Sequence, residues 1–431
     1  MRFREAALKT SAVQIVATVC QLLVGIVTAR VLGAHDRGIY SLFFTSVGFG
    51  INLFSLGLLQ AMVFHLNRNP GWSGMILGNS ISYWVFLSFS LFIFALFFPG
   101  SLNMIWGGEG TVLPVLLSFG ISAMVADGLI SGLMLGKHRY DIYNYNVLFQ
   151  ACGVLLSALA LFAVVPSIEL AIGFRVLALM IVAAWYAFLM VRGSEFSIKP
   201  PSVRVIFEQF RFGSKNYLQN IIGLANSRIF LYMLAVFHGP VFVGYLSVAQ
   251  LFAEGMRLFP NAIGTVLFPK LASLNDQGEA DALTAAVCRH TMAGTSAAAL
   301  ILVGVAPRLV IWFFGNEYAP AIPALRLMVF GAALNCLYQI LTRYFTSQHL
   351  QRHSIKGGSL ALIAGFCSAW VWIPQYGVVG AAAAYALSGA VAGLTLVHYF
   401  VRNSGLSAGR VLILDGSDFR QIVGFLSKRR V

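Results

Sequence analysis

Gly33-Ala34-His35-Asp36-Arg37-Gly38-Ile39-Tyr40-Ser41 lies between two long apolar runs, and 206 positions later the chain returns to Gly239-Pro240-Val241-Phe242-Val243-Gly244-Tyr245-Leu246-Ser247. Both stretches hold glycine at the first and sixth positions and serine at the ninth. The same offset carries Ile105-Trp106 onto Ile311-Trp312 and Pro114 onto Pro320, and then drifts, so that Val165-Pro166 faces Ile373-Pro374. An offset shared across helix pairs marks an internal duplication.

Around these two stretches the chain is built to sit in lipid. Of its 431 residues 58% are hydrophobic and only 10% charged, with a mean hydropathy of +0.80. Soluble domains carry about a quarter charged residues, so a soluble enzyme is excluded. A spanning helix needs about 20 apolar residues, each adding about 1.5 Å against a core of about 30 Å. Twelve segments qualify: 9–32, 39–64, 74–98, 111–135, 147–165, 168–191, 216–237, 241–266, 288–314, 321–345, 355–374 and 377–401. Runs of this length are helices, since lipid offers no partner for an exposed backbone.

The expected fold is all-α, with 12 transmembrane helices in two pseudo-symmetric six-helix lobes around a central cavity. Six spans per half leave both halves with the same orientation, the arrangement of parallel repeats. The expected division is an N-lobe at 1–192, a cytoplasmic amphipathic linker at 193–215, a C-lobe at 216–402 and an amphipathic tail at 403–431. Ser202–Phe212 and 410–430 read as amphipathic helices anchored on an anionic inner leaflet. The five cysteines stand singly in apolar runs, which predicts neither disulfides nor a metal site.

Of 29 lysines and arginines, only Arg30, Arg37 and Arg308 fall in outer segments when the N-terminus is cytoplasmic. Arg175, Arg228, Arg257 and Arg326 lie within spans, and the rest fall in inner segments. Both termini are therefore expected in the cytoplasm. The first helix is expected to remain as an anchor, since its apolar run is too long for a signal peptide and no A-x-A site follows it.

Polar residues inside a membrane face water or one another. Ser11, Gln14, Thr18, Gln21, Gly25 and Thr28 make such a stripe on the first helix, and Ser41, Thr45, Gly48, Asn52 and Ser55 on the second. Asn216, Gln219, Asn220, Gly223, Asn226 and Ser227 repeat it on the seventh. Ser247, Gln250, Glu254, Arg257, Asn261 and Thr265 repeat it on the eighth. Packing through small and polar residues would produce similar stripes, but packing does not require charge. Arg175, Arg228, Arg257 and Arg326 against Asp127 and Glu254 leave the interior cationic, with Arg30 at the outer end of helix one. Such a surface favours anions, above all phosphate or diphosphate, which guanidinium grips bidentately. Several roles stay open: Glu254 and Arg257 neutralise each other or act separately; Arg228 packs helices or binds; Arg175 and Arg326 line a cavity or snorkel outward. Asp127 is a proton-binding carboxylate or an arginine counter-ion.

With repeat and stripes together, the sequence resembles the polysaccharide flippases of the multidrug/oligosaccharidyl-lipid/polysaccharide exporter superfamily. The resemblance rests on Leu32-Gly33 through Gly38-Ile39-Tyr40-Ser41 and on Gly132 to Tyr140 (GLMLGKHRY). It rests further on Gly244 to Gln250 (GYLSVAQ), Leu267 to Leu271 (LFPKL) and Gly377 to Tyr385 (GVVGAAAAY). One position departs, where Asn226-Ser227 precede Arg228 in place of an aspartate. The resemblance implies alternating access and a polyprenyl-diphosphate-linked oligosaccharide carried from the cytoplasmic to the periplasmic leaflet of a bacterial inner membrane. The surface polysaccharide so built is O-antigen, capsule or exopolysaccharide. Arg228, Arg257, Arg30, Arg326 and Arg175 would meet the diphosphate. Gln14, Gln21, Asn52, Gln219, Asn226 and Gln250 would meet sugar hydroxyls. Asp127 and Glu254 would couple the cycle to protons or sodium.

No cofactor, metal or nucleic acid is expected. The expected protein is a monomer among membrane lipids, in association with a glycan polymerase. A multidrug exporter of organic cations shares the fold but needs an acidic cavity. A membrane glycan polymerase needs a long outer loop for its chemistry, and the outer loops here are short. No phosphate loop, GxSxG or metal-ligand cluster occurs, and Gly107-Gly108-Glu109-Gly110 reads as a turn.

Overall fold

A computed structural model describes residues 3–106, 110–163, 167–192, 199–274 and 276–413. Among these there is helix but no strand. In chain order the helices are α1 Phe3–Ser55, α2 Leu58–Arg68, α3 Ser73–Phe97, α4 Pro99–Asn103, α5 Val112–Gly136, α6 Tyr140–Leu159 and α7 Ile168–Arg192. There follow α8 Val203–His238, α9 Pro240–Met256, α10 Leu258–Ser273, α11 Gln277–Phe314, α12 Ala321–Ser347, α13 Gln351–Ser404 and α14 Ala408–Leu412. Nine continuous helices among the described residues are long and apolar enough to cross a membrane. Two of the nine, α1 and α13, are each two spans joined at a glycine (Gly33, φ +72°; Gly377, φ +54°). With α9 and α10 forming one interrupted span, the total among the described residues is the twelve expected from hydropathy, all-α and in two pseudo-symmetric halves of six.

The repeat explains where the chain turns. Gly33 and its counterpart Gly239 both hold left-handed φ, +72° and +82°, a region that costs any residue with a Cβ. Beyond Gly33 the chain doubles back, so that Arg37 donates to Thr28 and Val24 packs near Phe44. The next glycines of the repeat serve a different purpose. A Cβ on Gly38 would run into the Pro240 carbonyl, and a Cβ on Gly244 into the Ala34 carbonyl. Under the 206-residue offset Gly38 becomes Gly244 and Ala34 becomes Pro240, so each contact is the image of the other.

Two interruptions depart from the continuous spans expected. The second span breaks at Leu56 (φ +47°) and Gly57 (φ +74°), and α2 continues to Arg68. This break strands carbonyls in the membrane, where each must find a donor. The Tyr217 hydroxyl bonds Leu53 O at 2.9 Å and the Tyr83 hydroxyl bonds Phe54 O. In the eighth span, Pro260 cannot bond the Met256 carbonyl and its ring crowds that group. α9 accordingly ends at Met256, and Arg257 sits between it and α10. A third difference concerns Ser202–Phe212, which joins the seventh span in the single helix α8 rather than forming a separate surface helix.

Contacts divide the chain into two compact units. The first holds residues up to Val248 together with Phe313–Tyr318, and the second holds Ala249–Trp312 and the chain from Ala319. The core of the first gathers large side chains such as Phe43, Met62, Trp106 and Tyr186. In the second, α12 and α13 approach closely through small residues: Ala381, Ala382 and Ala384 of the GVVGAAAAY stretch are fully buried. Close packing of this kind replaces the hydrophobic effect between helices in lipid. Val411 of α14 is buried in the second core with Leu396 and Phe400. The remainder of the expected tail, 414–431, and residues 193–198 of the expected linker lie outside the described residues.

Candidate transport site

The expected site residues of the first unit fall into three places. Gln14 and Gln21 are exposed on the first span, and the stripe they begin ends at Thr28, which is fully buried. Arg30, also exposed, donates from Nε to the Phe313 carbonyl at 2.7 Å. The same tip of chain supplies two more bonds: Ala34 N–H donates to Glu317 Oε1 at 2.8 Å, and the Tyr318 hydroxyl donates to the Ala29 carbonyl at 3.0 Å. Glu317 thus caps the first turn after the Gly33 reversal, where backbone N–H groups lack helical partners.

Asn52 occupies the second place, the break near Gly57. Here a cavity of about 190 Å³ is lined by apolar side chains such as Ile51, Leu59 and Val125 and by polar groups of two spans, Asn52, Ser55 and Gln60 with Tyr217 and Asn220. Gln60 and Tyr217 carried no signal in the stripes, since the turn at Leu56–Gly57 that brings Gln60 round was not foreseen. Gln219 is half-buried nearby in sequence, and the Asn226 amide turns back to its own helix at Ile222 O, 3.0 Å away. Arg228 is half-buried and lies within electrostatic reach of Tyr232, whose hydroxyl meets Ser46 of the second span at 2.9 Å.

The third place is the interior of α5, α6 and α7. Asp127 accepts from the Asn146 amide at 2.6 Å, and the phenols of Tyr143 and Tyr186 lie close enough to feel its charge. No ion pair to Asp127 occurs among the described residues, so the arginine counter-ion role has no support in this arrangement. Arg175 does not reach outward. Its guanidinium lies 3.9 Å from the Phe44 ring centroid, and Nη1 donates to the Tyr40 hydroxyl at 3.0 Å.

In the second unit, Gln250 is buried and donates to Glu254 Oε1 at 3.2 Å along the same helix. Arg257, released by the Pro260 interruption, turns instead toward α12, where Nη2 approaches Asn335 Oδ1 at 3.5 Å. Gln339 Nε2 donates to that same oxygen at 3.3 Å. Asn335 and Gln339 are one helical turn apart on one face, a spacing visible in the sequence. Arg326 is exposed on α12 with its Nε 3.4 Å from Val303 O, two and a half turns from Asn335 and outside this cluster. Among the described residues no group of histidine, cysteine, aspartate and glutamate could hold a metal ion.

The fold matches that of solved transporters. No family model matches the sequence, and no curated protein sequence does. Solved structures do match along nearly the whole chain. Lipid II flippase MurJ in an inward closed conformation superposes with a TM-score of 0.73 at 12% identity, covering 92% of this chain and 89% of its own. An inward-facing multidrug resistance MATE transporter of the MOP superfamily gives 0.74 at 14% identity, over 93% and 98%. An outward-facing conformation of such a MATE transporter gives 0.66 at 14%, over 93% and 95%. The chain has the fold of these MOP superfamily transporters. All three are transporters or flippases rather than enzymes.

Proposed function

We propose that the protein flips a polyprenyl-diphosphate-linked oligosaccharide from the cytoplasmic to the periplasmic leaflet of the bacterial inner membrane, by alternating access, for surface polysaccharide assembly. The observation that carries this reading is the environment of the intramembrane charges. Arg257 meets amides, Asn335 and through it Gln339, and Arg175 meets a tyrosine hydroxyl and an aromatic face. Guanidinium groups held by neutral partners keep their charge available for an anion, whereas arginines locked to carboxylates would not. Amides and hydroxyls around them suit sugar. A carrier of organic cations on this same fold would need carboxylates where this chain has arginines.

In this scheme Arg228, Arg257, Arg30, Arg326 and Arg175 share the diphosphate along its route, and Gln14, Gln21, Asn52, Gln219, Asn226 and Gln250 meet the glycan. Asp127, held by an amide rather than a cation, is the coupling carboxylate for a proton or sodium ion, with Glu254 the second. The lipid tail stays in the bilayer, so only the head must pass. The protein works as a monomer, both termini in the cytoplasm, beside the polymerase that consumes its product.

The test is reconstitution in vesicles with a polyprenyl-diphosphate oligosaccharide bearing a fluorescent sugar, read by an impermeant quencher added outside. Protein should speed exposure of the label, and R257A should abolish the gain. No transfer of the glycolipid, alongside export of an organic cation dye, would overturn the proposal in favour of the multidrug reading.

A further inference from the structure

Arg37 is one of three basic residues in outer segments, and the structure buries it. It is 6% exposed, Nη1 donates to Thr28 Oγ1 at 2.5 Å, and Nε is enclosed with no hydrogen-bond partner. Arg175 Nε is enclosed and unpartnered as well. Tyr40 stands between the two: its ring centroid is 5.6 Å from the Arg37 guanidinium and 5.4 Å from that of Arg175. The groups close enough to act electrostatically on Arg37 are Tyr40, Tyr318 and Arg175 itself. No carboxylate is among them, and no ion pair of either arginine occurs among the described residues. Aromatic faces soften this, the Arg175–Phe44 stack above all. They do not cancel two neighbouring like charges, one buried and one half-buried, which otherwise need a counter-charge and full hydrogen bonding.

We propose that Arg37 and Arg175, with Tyr40 and Thr28 as their supports, form a binding site for a phosphate-bearing anion. The guanidinium forks, each with its Nε left without a partner, suit the tetrahedral oxygens of phosphate. Arg37 lies in the first turn after the Gly33 reversal, and Arg175 is the eighth residue of α7, about 10 Å from its start at helical rise. On the orientation given by the basic loops, that level lies in the outer half of the membrane, below the headgroups. The anion is therefore the diphosphate of arriving cargo or the phosphate of a resident lipid. The inference rests on the flippase reading only for the first of these sources.

A fluorine label at position 44, introduced as 4-fluorophenylalanine, reports this site alone, because Arg175 stacks on that ring. In phosphatidylcholine nanodiscs the resonance should shift on addition of inorganic diphosphate. R37Q and R175M should raise the diphosphate concentration needed at least tenfold. Should either variant fail to fold, Y40F, which removes the hydroxyl holding Arg175, should weaken binding several-fold with little change in shape. A resonance already shifted in phosphatidylglycerol nanodiscs, and indifferent to diphosphate, assigns the site to resident lipid; one that moves only with diphosphate assigns it to cargo. A resonance that moves in neither, or moves equally in wild type, R37Q and R175M, overturns the site. A silent resonance in a protein that still flips glycolipid in vesicles would sink the anion site and leave the transport reading standing.

Discussion

Replacing Gly38 with alanine puts a methyl group where the backbone of the other repeat now runs. Built on the existing backbone, that carbon sits 2.6 Å from the Pro240 carbonyl carbon and 3.1 Å from Gly244 N, and closer still to the Pro240 oxygen. Non-bonded carbons settle about 3.5–4.0 Å apart, so the two segments must separate by about an ångström. Both partners are backbone and no side chain can rotate away. A cost in the upper part of the 1–3 kcal/mol usual for overpacking follows. At Gly244 the added carbon would lie 2.9 Å from the Ala34 carbonyl carbon and 3.2 Å from its Cα, a milder clash. G244A should therefore destabilise less than G38A. Since the two clashes open the same contact, a separation that admits the first methyl already admits the second. The double variant should melt close to G38A alone, with a coupling of about 1 kcal/mol or more between neighbouring sites. Thermal unfolding in detergent, followed by intrinsic fluorescence, ranks the four proteins. Fully additive losses would show the contacts to be independent. A stable G38A would show that the segments part without cost.

Three further outcomes follow from the site geometry. R228A and R257A should abolish surface-glycan assembly in cells while the proteins still insert, and N335A should weaken assembly less than R257A does, since it removes a support rather than the charge; glycan staining and membrane fractionation check this. D127N should lower transport driven by a pH gradient in vesicles, with N146A giving a smaller loss, whereas transport indifferent to both would clear this pair of any coupling role. Y344F should destabilise the second unit by about 1–3 kcal/mol, the cost of leaving a buried acceptor unpaired, because the Tyr344 hydroxyl bonds Asp281 Oδ1 at 2.5 Å and Asp281 is buried; an unchanged melting temperature would show that water replaces it.

Hydropathy and the duplication made the twelve spans readable, because length in lipid and backbone satisfaction leave a chain few choices. Even the glycine breaks at 33 and 239 were marked by the shared offset. The interruption at Arg257 is also written, in Pro260, although the polar residues around it keep helical spacing. Partners were less accessible. Periodicity tells which residues share a face of one helix, not which face of another helix it meets. Asn146 beside Asp127, Asn335 beside Arg257 and Phe44 beneath Arg175 are all relations between helices. Arg37 shows the same limit: its place beside a span boundary is legible, but its burial against Thr28 follows from the reversal at Gly33.

The paired contact at Gly38 and Gly244 bears on how such a chain could arise. Each repeat contributes both the notch and the carbonyl that fills it, so the surface is its own complement. Two separate copies of an ancestral six-helix protein could have met through it before any gene fusion joined them, each making the contact once as donor and once as acceptor. Fusion would then have preserved an association already in place, and freed the two copies to acquire different charges.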